Sequence, residues 1–326
     1  LLTGILLGDD SGLPKATADA FRATGMTHII AISGVNIALI IALLDRLAAP
    51  LLPRRVAALA VMGGIALYAL LVGASASVVR AALMGTAYLI SLRLMGRPTL
   101  AVAGLFTAAV AMTLFNPLAL WDVGFQLSLA ATLGLLLFAG PWTQRLQQSA
   151  PRLPGPARTL LAEGLVVTVA AQVLTLPLIL FHFGRLSLAS LPANLLVLPA
   201  QPAVMLTGGV ALLAGLLWPL AGRLTGLLAW PFLTYTVVII EWLARWPAAS
   251  VPLRLSPAAL AAVYAAIGGL TLLASTRKEQ RRGLAERLRA RLGLVAALVA
   301  LTLVMLLAVA WFLSRPDGRL HVAFLD

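Results

Sequence analysis

The stretch from His28 to Asn36, reading His-Ile-Ile-Ala-Ile-Ser-Gly-Val-Asn, is where the chain passes from a polar surface segment into membrane. Upstream stand the charges Asp9, Asp10, Lys15, Asp19 and Arg22, whereas residues 29 to 44 carry none. Ser33 and Asn36 are the polar groups of that aliphatic run, three residues apart on one helical face. Hydrocarbon offers no water to a hydroxyl or an amide, so both side chains are expected to look into protein rather than at lipid.

Composition carries the same reading over the whole chain. Of its 326 residues 61% are hydrophobic and 11% charged, and several runs exceed the ~18 apolar residues that mark a transmembrane helix. The expected fold is an all-α, polytopic transmembrane bundle. No cysteine is present, which excludes disulfide and thiolate chemistry, and with His28, His182 and His321 alone a zinc centre would need distant carboxylates. No metal or cofactor is expected. The chain opens at Leu1 without methionine or signal peptide and stops inside the alternating run Leu320 to Leu325, so it reads as an excised membrane domain.

Residues 13–25 pattern as a short amphipathic helix with proline at its start and glycine at its exit, expected on the membrane surface. About ten spans follow, over 29–44, 56–73, 78–95, 98–115, 118–140, 160–183, 201–218, 224–246, 257–274 and 292–314. The piece 186–199 is apolar, too short to cross and interrupted by Pro192 and Pro199, which suggests a re-entrant or broken segment buried in protein. The domain reading is therefore an extracytoplasmic segment over 1–28, a channel domain over 29–314, and the first strand of a truncated extracytoplasmic domain over 315–326.

Basic residues set the orientation. The loop 275–291 holds seven of the 24 basic residues, and with it inside, most of the remaining arginines fall on the same side. Both termini then lie outside. Trp142, Trp218, Trp242, Trp246 and Trp311 near span ends fit an interfacial belt. Because topology accounts for it, the net charge of +13 is no sign of nucleic-acid binding.

Polar residues within spans are more informative. Arg80 shares a helical stripe with Ser77, Met84, Tyr88 and Ser91, and a charge at that depth is costly unless paired or wet. Asp122 and Gln126 make a second stripe, and Thr168, Gln172 and Thr175, followed by Pro177, make a third. With Asn194 and Gln201 they either line a polar cavity or tie helices together, Arg80 then pairing with Asp122. Glu241 and Arg245, four apart, are expected to form an interfacial ion pair, Glu163 to be an end-of-helix acid and His182 an interfacial ring. No His-Glu-x-x-His or Gly-x-Ser-x-Gly occurs, and Ser33 and His28 are about 140° apart round a helix, a poor nucleophile and base.

Gly8-Asp9, Ser11-Gly12, and then Phe21-x-x-x-Gly25-x-x-His28 through Ser33-Gly34 resemble the opening signature of the ComEC family of competence channels. Ser77-Val78-Val79-Arg80, Asn116-Pro117 with Asp122-x-Gly124-Phe125-Gln126-Leu127-Ser128, Gln172-x-x-Thr175-Leu176-Pro177, and Asn194 with Pro199 agree with it. Val322 to Asp326 resembles the start of that family's metallo-β-lactamase-like domain, cut before any metal ligand. Many members carry leucine and histidine where this chain has Val35 and Asn36, so no proton or metal role for that histidine carries over. The resemblance implies a non-enzymatic, bacterial inner-membrane channel for single-stranded DNA in natural transformation. It further implies flanking extracytoplasmic domains, a DNA receptor and a cytoplasmic motor.

On that reading Arg80 contacts phosphate, Gln126, Gln172, Asn194 and Asn36 supply neutral donors, and Ser33 and Asp122 complete the path. A secondary transporter for a small anion, with Asp122 carrying a proton, is the alternative, and a membrane scaffold without a conduit is a third.

Overall fold

Proline and glycine punctuate the helices of the computed structural model, which describes residues 1–7, 12–30, 34–94, 101–149, 161–247 and 249–276. After the short helix α1 (Leu2–Leu7), Pro14 precedes α2 (Lys15–Ala23), whose missing amide hydrogen costs nothing there. Gly25, with φ of +69°, ends α2, and the Met26 amide returns to the carbonyl of Phe21 at 2.8 Å. One turn, α3 (Thr27–Ile30), follows.

Next come α4 (Gly34–Ala48), α5 (Arg54–Leu71), α6 (Ala76–Leu89), α7 (Ala101–Phe115) and α8 (Val123–Gly134). α8 runs on through a wide turn into α9 (Gly140–Ser149). Then follow α10 (Val167–Phe183), strand β1 (Arg185–Ser187), α11 (Ser190–Val197), α12 (Gln201–Leu217), α13 (Pro219–Gly226), α14 (Trp230–Ala244), strand β2 (Ser250–Pro252) and α15 (Pro257–Thr276). The strands pair antiparallel, Leu186 opposite Val251, a small clasp that hydrophobic periodicity did not suggest.

By length and composition four segments can cross a membrane: Arg54–Leu71, Val123–Gln148, Gly164–Phe183 and Ser190–Leu217. A fifth results if α13 and α14, bent by 48°, count as one. Ala76–Leu92, Ala101–Phe115 and Pro257–Thr271 are shorter apolar helices. Apolar side chains face outward along them, Leu70, Leu216 and Leu217 being more than 70% exposed, as lipid-facing surfaces require. The chain is a multi-pass membrane protein of all-α class. The expected span 292–314 and the segment 315–326 lie outside the described residues.

The expected break at 186–199 has moved. From Ser190 the chain is helical to Leu217, with a single tight turn at Leu198–Ala200, because Pro192 falls in the first turn where no hydrogen bond is lost. The bent pair is instead α13 and α14.

Of the three apolar clusters among the described residues, two join the start of the chain to the rest of the bundle. One gathers Ile5, Phe21, Met26, Val197, Val204 and Ile240, so α1, α2 and α3 are built into it. The other joins α4, α5 and α6 through Ile37, Val61, Ile65 and Val78. α4 approaches closely because Gly64 and Gly85 leave room for Leu44 and Ile41. Glu241 does not pair with Arg245: it accepts from Thr17 Oγ1 at 3.0 Å, fastening α2 to α14, since a hydroxyl from the docked helix reaches it first.

Candidate functional site

Arg80 lies in the second turn of α6 and is 7% exposed. A buried guanidinium must find partners for its donors or cost several kcal/mol. Its Nε donates to Ser128 Oγ at 2.8 Å, and Nη1 donates to Thr132 Oγ1 and lies 3.8 Å from Met84 Sδ. Thr132 in turn donates to the Ser128 carbonyl at 2.9 Å, so the cradle belongs to one face of α8. Nη2 points toward the start of α4, where a Cβ on Gly34 would stand 3.3 Å away. Three of the quoted stretches therefore meet at this guanidinium: the one ending in Gly34, the one containing Arg80, and the one ending in Ser128.

The pairing of Arg80 with Asp122 is not what the structure shows. Asp122 is the N-cap of α8, its Oδ1 accepting from the Phe125 amide at 2.6 Å, and between described residues the ion pair seen is Arg22 with Asp19 on the surface. The Asp122 carboxylate is turned back on its own helix, where it caps the first turn of α8.

Gln126, one turn further, faces away from Arg80. Its Nε2 donates to the Leu120 carbonyl at 2.7 Å, and its Oε1 lies 2.9 Å from His182 Nε2, joining α8 to α10. Ser128 is two residues beyond, about 200° round the helix, so α8 turns one polar face to α6 and another to α10.

Gln172 and Asn194 converge on Ser190. Gln172 Nε2 donates to Ser190 Oγ at 3.2 Å and Asn194 Nδ2 to the Ser190 carbonyl at 2.8 Å. Thr168 and Thr175 bond back to the carbonyls of Gly164 and Ala171 within their own helix. Asn36, 7% exposed, donates to the Ile5 carbonyl at 3.0 Å. Ser33 lies outside the described residues. The structure thus brings Gln172 and Asn194 together, sets Asp122 and Gln126 in successive turns, and leaves Asn36 at α1.

Thr132 and Ser190 are participants that sequence reasoning passed over, while Ser128 entered only as the end of a quoted stretch and His182 only as an interfacial ring. Ser128 and Thr132, four apart, form a stripe that the more conspicuous Asp122 and Gln126 obscured. Among the described residues no three histidines, aspartates or glutamates cluster as a metal site would require.

Chemically, the cradle holds a cation without neutralising it. A carboxylate would cancel the charge, whereas hydroxyls fix its direction and leave it positive. Because Nε and Nη1 are both engaged, each edge of the guanidinium has one donor taken. What remains is a single-point contact through Nη2 rather than a bidentate fork.

A family model described as "Competence protein" matches residues 5–278. The chain belongs to the Competence protein family. It is 30% identical over 246 residues to ComE operon protein 3 of Bacillus subtilis (strain 168), covering 75% of this chain and 29% of that protein. Against Competence protein ComA of Neisseria gonorrhoeae it is 33% identical over 208 residues, 61% of this chain and 28% of the relative. The uncharacterized protein YcaI of Escherichia coli (strain K12) is 30% identical over 249 residues, 71% and 32% of the two chains. The chain thus spans about a third or less of the length of these relatives. No solved structure matches it.

Proposed function

We propose that this domain is the conduit by which single-stranded DNA crosses the bacterial inner membrane into the cytoplasm during natural transformation, with Arg80 meeting the strand's phosphates. The observation that carries the reading is the buried Arg80, held by Ser128 and Thr132 with no carboxylate in contact among the described residues. A passing polyanion must be attracted without being trapped. One fixed cation making single-point contacts does this, where a dense basic wall would hold the strand.

Gln126, Gln172, Asn194, Asn36 and Ser33 supply neutral polar groups along the path, and Asp122 stands at its outer end. Each of the four amides donates a bond to the fold, which fixes its direction. The basic loops lie inside and both ends of this chain outside, where flanking extracytoplasmic domains and a DNA receptor deliver the strand and a cytoplasmic motor draws it in.

The test is the Arg80→Gln variant in a host that depends on this protein, scored for membrane abundance and transformation frequency. Normal abundance with transformation reduced at least tenfold is expected, the loss of one buried charge contact being worth on the order of 1.4 kcal/mol or more. Arg80→Lys keeps part of the uptake. Normal transformation by a well-expressed Arg80→Gln protein removes Arg80 from the path. Saturable uptake of a small anion by vesicles carrying the protein, with no DNA uptake, favours the carrier reading instead.

A further inference from the structure

Helix α10 ends at Gly184, whose φ of +64° turns the chain into strand β1, and β2 returns antiparallel beside it. The last carbonyls of a helix have no partner within it. Here backbone amides of the returning chain reach that end of α10, Leu255 donating to the Leu180 carbonyl at 3.4 Å and Leu253 to that of Gly184 at 3.0 Å. The clasp is also fixed to α2, because Ser187 Oγ donates to the Ala23 carbonyl at 2.8 Å.

Two cations stand at one end of this clasp. Arg185 opens β1, and Arg254 follows β2 by two residues, which in an antiparallel pair is the same end. A Cβ on Gly184 would lie 3.1 Å from Arg254 Nε, so the Arg254 side chain is laid along the residue that precedes Arg185. Both arginines are exposed, and among the described residues neither guanidinium has a hydrogen bond or an ion pair. Three acids of the described chain are already engaged: Asp19 pairs with Arg22, Asp122 caps α8 and Glu241 accepts from Thr17.

Capping of α10 does not use these guanidiniums, since backbone amides already serve its end. Topology does not account for them either, because basic residues are biased toward the cytoplasm and the clasp lies outside in the proposed orientation. Two like charges held side by side repel each other, and an anion laid along them removes the repulsion. A phosphate chain suits them better than an isolated ion, as it offers successive charges to successive cations. A guanidinium also stacks on an unpaired base. Ser190, on which Gln172 and Asn194 converge, stands three residues past β1, so a strand held at the clasp enters beside those polar groups.

We propose that the β1–β2 clasp is the outer docking surface for an incoming single strand, Arg185 and Arg254 each taking one of its phosphates. The proposal rests on the conduit reading above.

The test uses the full-length protein in right-side-out membrane vesicles, where a labelled single-stranded oligonucleotide meets the outer face alone. Each phosphate contact on a single strand contributes about 0.7 to the slope of log affinity against log salt. Arg185→Gln combined with Arg254→Gln should therefore lower that slope by about 1.4 and reduce transformation, with membrane abundance unchanged. Arg185→Lys combined with Arg254→Lys should keep the slope, because both charges remain. An unchanged slope in the glutamine variant overturns the docking surface and leaves the conduit reading, which Arg80→Gln tests by itself. If the slope is unchanged and less phosphatidylglycerol copurifies with the variant, the arginines serve lipid headgroups and the docking surface is again overturned. A lowered slope together with normal transformation by Arg80→Gln keeps the docking surface and removes Arg80 from the path.

Discussion

Arg80 and Ser128 join α6 to α8 by a hydrogen bond of 2.8 Å from guanidinium to hydroxyl. The bond solves a problem that hydrocarbon poses for any buried cation, which must be solvated by something when water is absent. Ser128 and Thr132 act as that solvent. They are four residues apart on one helix, so a rigid element holds both oxygens and the guanidinium cannot turn freely.

Removing the two hydroxyls together should therefore unmask the burial of the charge. The Ser128→Ala, Thr132→Val double variant is expected to lose about 2 kcal/mol for each hydroxyl, seen as lower abundance and a lower thermal midpoint in detergent. Adding Arg80→Met should recover most of the stability, because the cation that needed the hydroxyls is gone. Asp122→Asn, by contrast, should leave stability nearly unchanged, since an asparagine caps α8 as well as an aspartate. A loss with Asp122→Asn as large as with the double variant would restore the ion-pair arrangement.

Much of this was legible in the sequence. The apolar runs, the glycine exit at Gly25 and the cost of a charge at Arg80 follow from local chemistry, which a single chain displays. What stayed hidden depends on which helix lies opposite. α8 carries polar residues on two faces, and the pattern alone does not say that Gln126 meets His182 while Ser128 meets Arg80. Pro192 and Pro199 looked like a break because their rank within a helix was unknown; at a first turn and a tight turn they interrupt little. The packing of Leu2 to Leu7 into the first core was hidden for another reason, as six residues are too few to show a period.

Close approach of α8 and α10 should make Gly134 intolerant of any side chain. Its added Cβ would fall inside contact distance of the Ala170 carbonyl, a backbone atom that cannot move without moving α10. Gly134→Ala is expected to cost about 1–3 kcal/mol by overpacking. Gly209 of α12 has nothing within 4 Å of the same position, so Gly209→Ala should be neutral or gain up to about 1 kcal/mol of helix propensity. Thermal unfolding of the two proteins in the same detergent should order them, wild type between. Equal midpoints would show that the helices separate without penalty.

The path of the chain between Phe183 and Trp230 decides the sidedness of everything after it. Were 186–199 a re-entrant piece returning to its own side, followed by a separate span, the helix would be interrupted near Pro199. Instead it is continuous from Ser190 to Leu217, 28 residues or about 42 Å at 1.5 Å per residue, enough to cross with some tilt. Leu188, before this helix, and Leu220, after it, are both exposed, 54% and 49%. They should consequently lie on opposite sides, Leu188 outside with the β1–β2 clasp and Leu220 inside beside Arg223, as the bias of basic residues toward the cytoplasm requires. Single cysteines at the two positions, treated on intact cells with a membrane-impermeant maleimide, should label at Leu188→Cys only, and Leu220→Cys should label only after the membrane is opened. Labelling of both from outside would mean that Ser190–Leu217 does not cross, and the side of α14, β2 and α15 would be reversed with it.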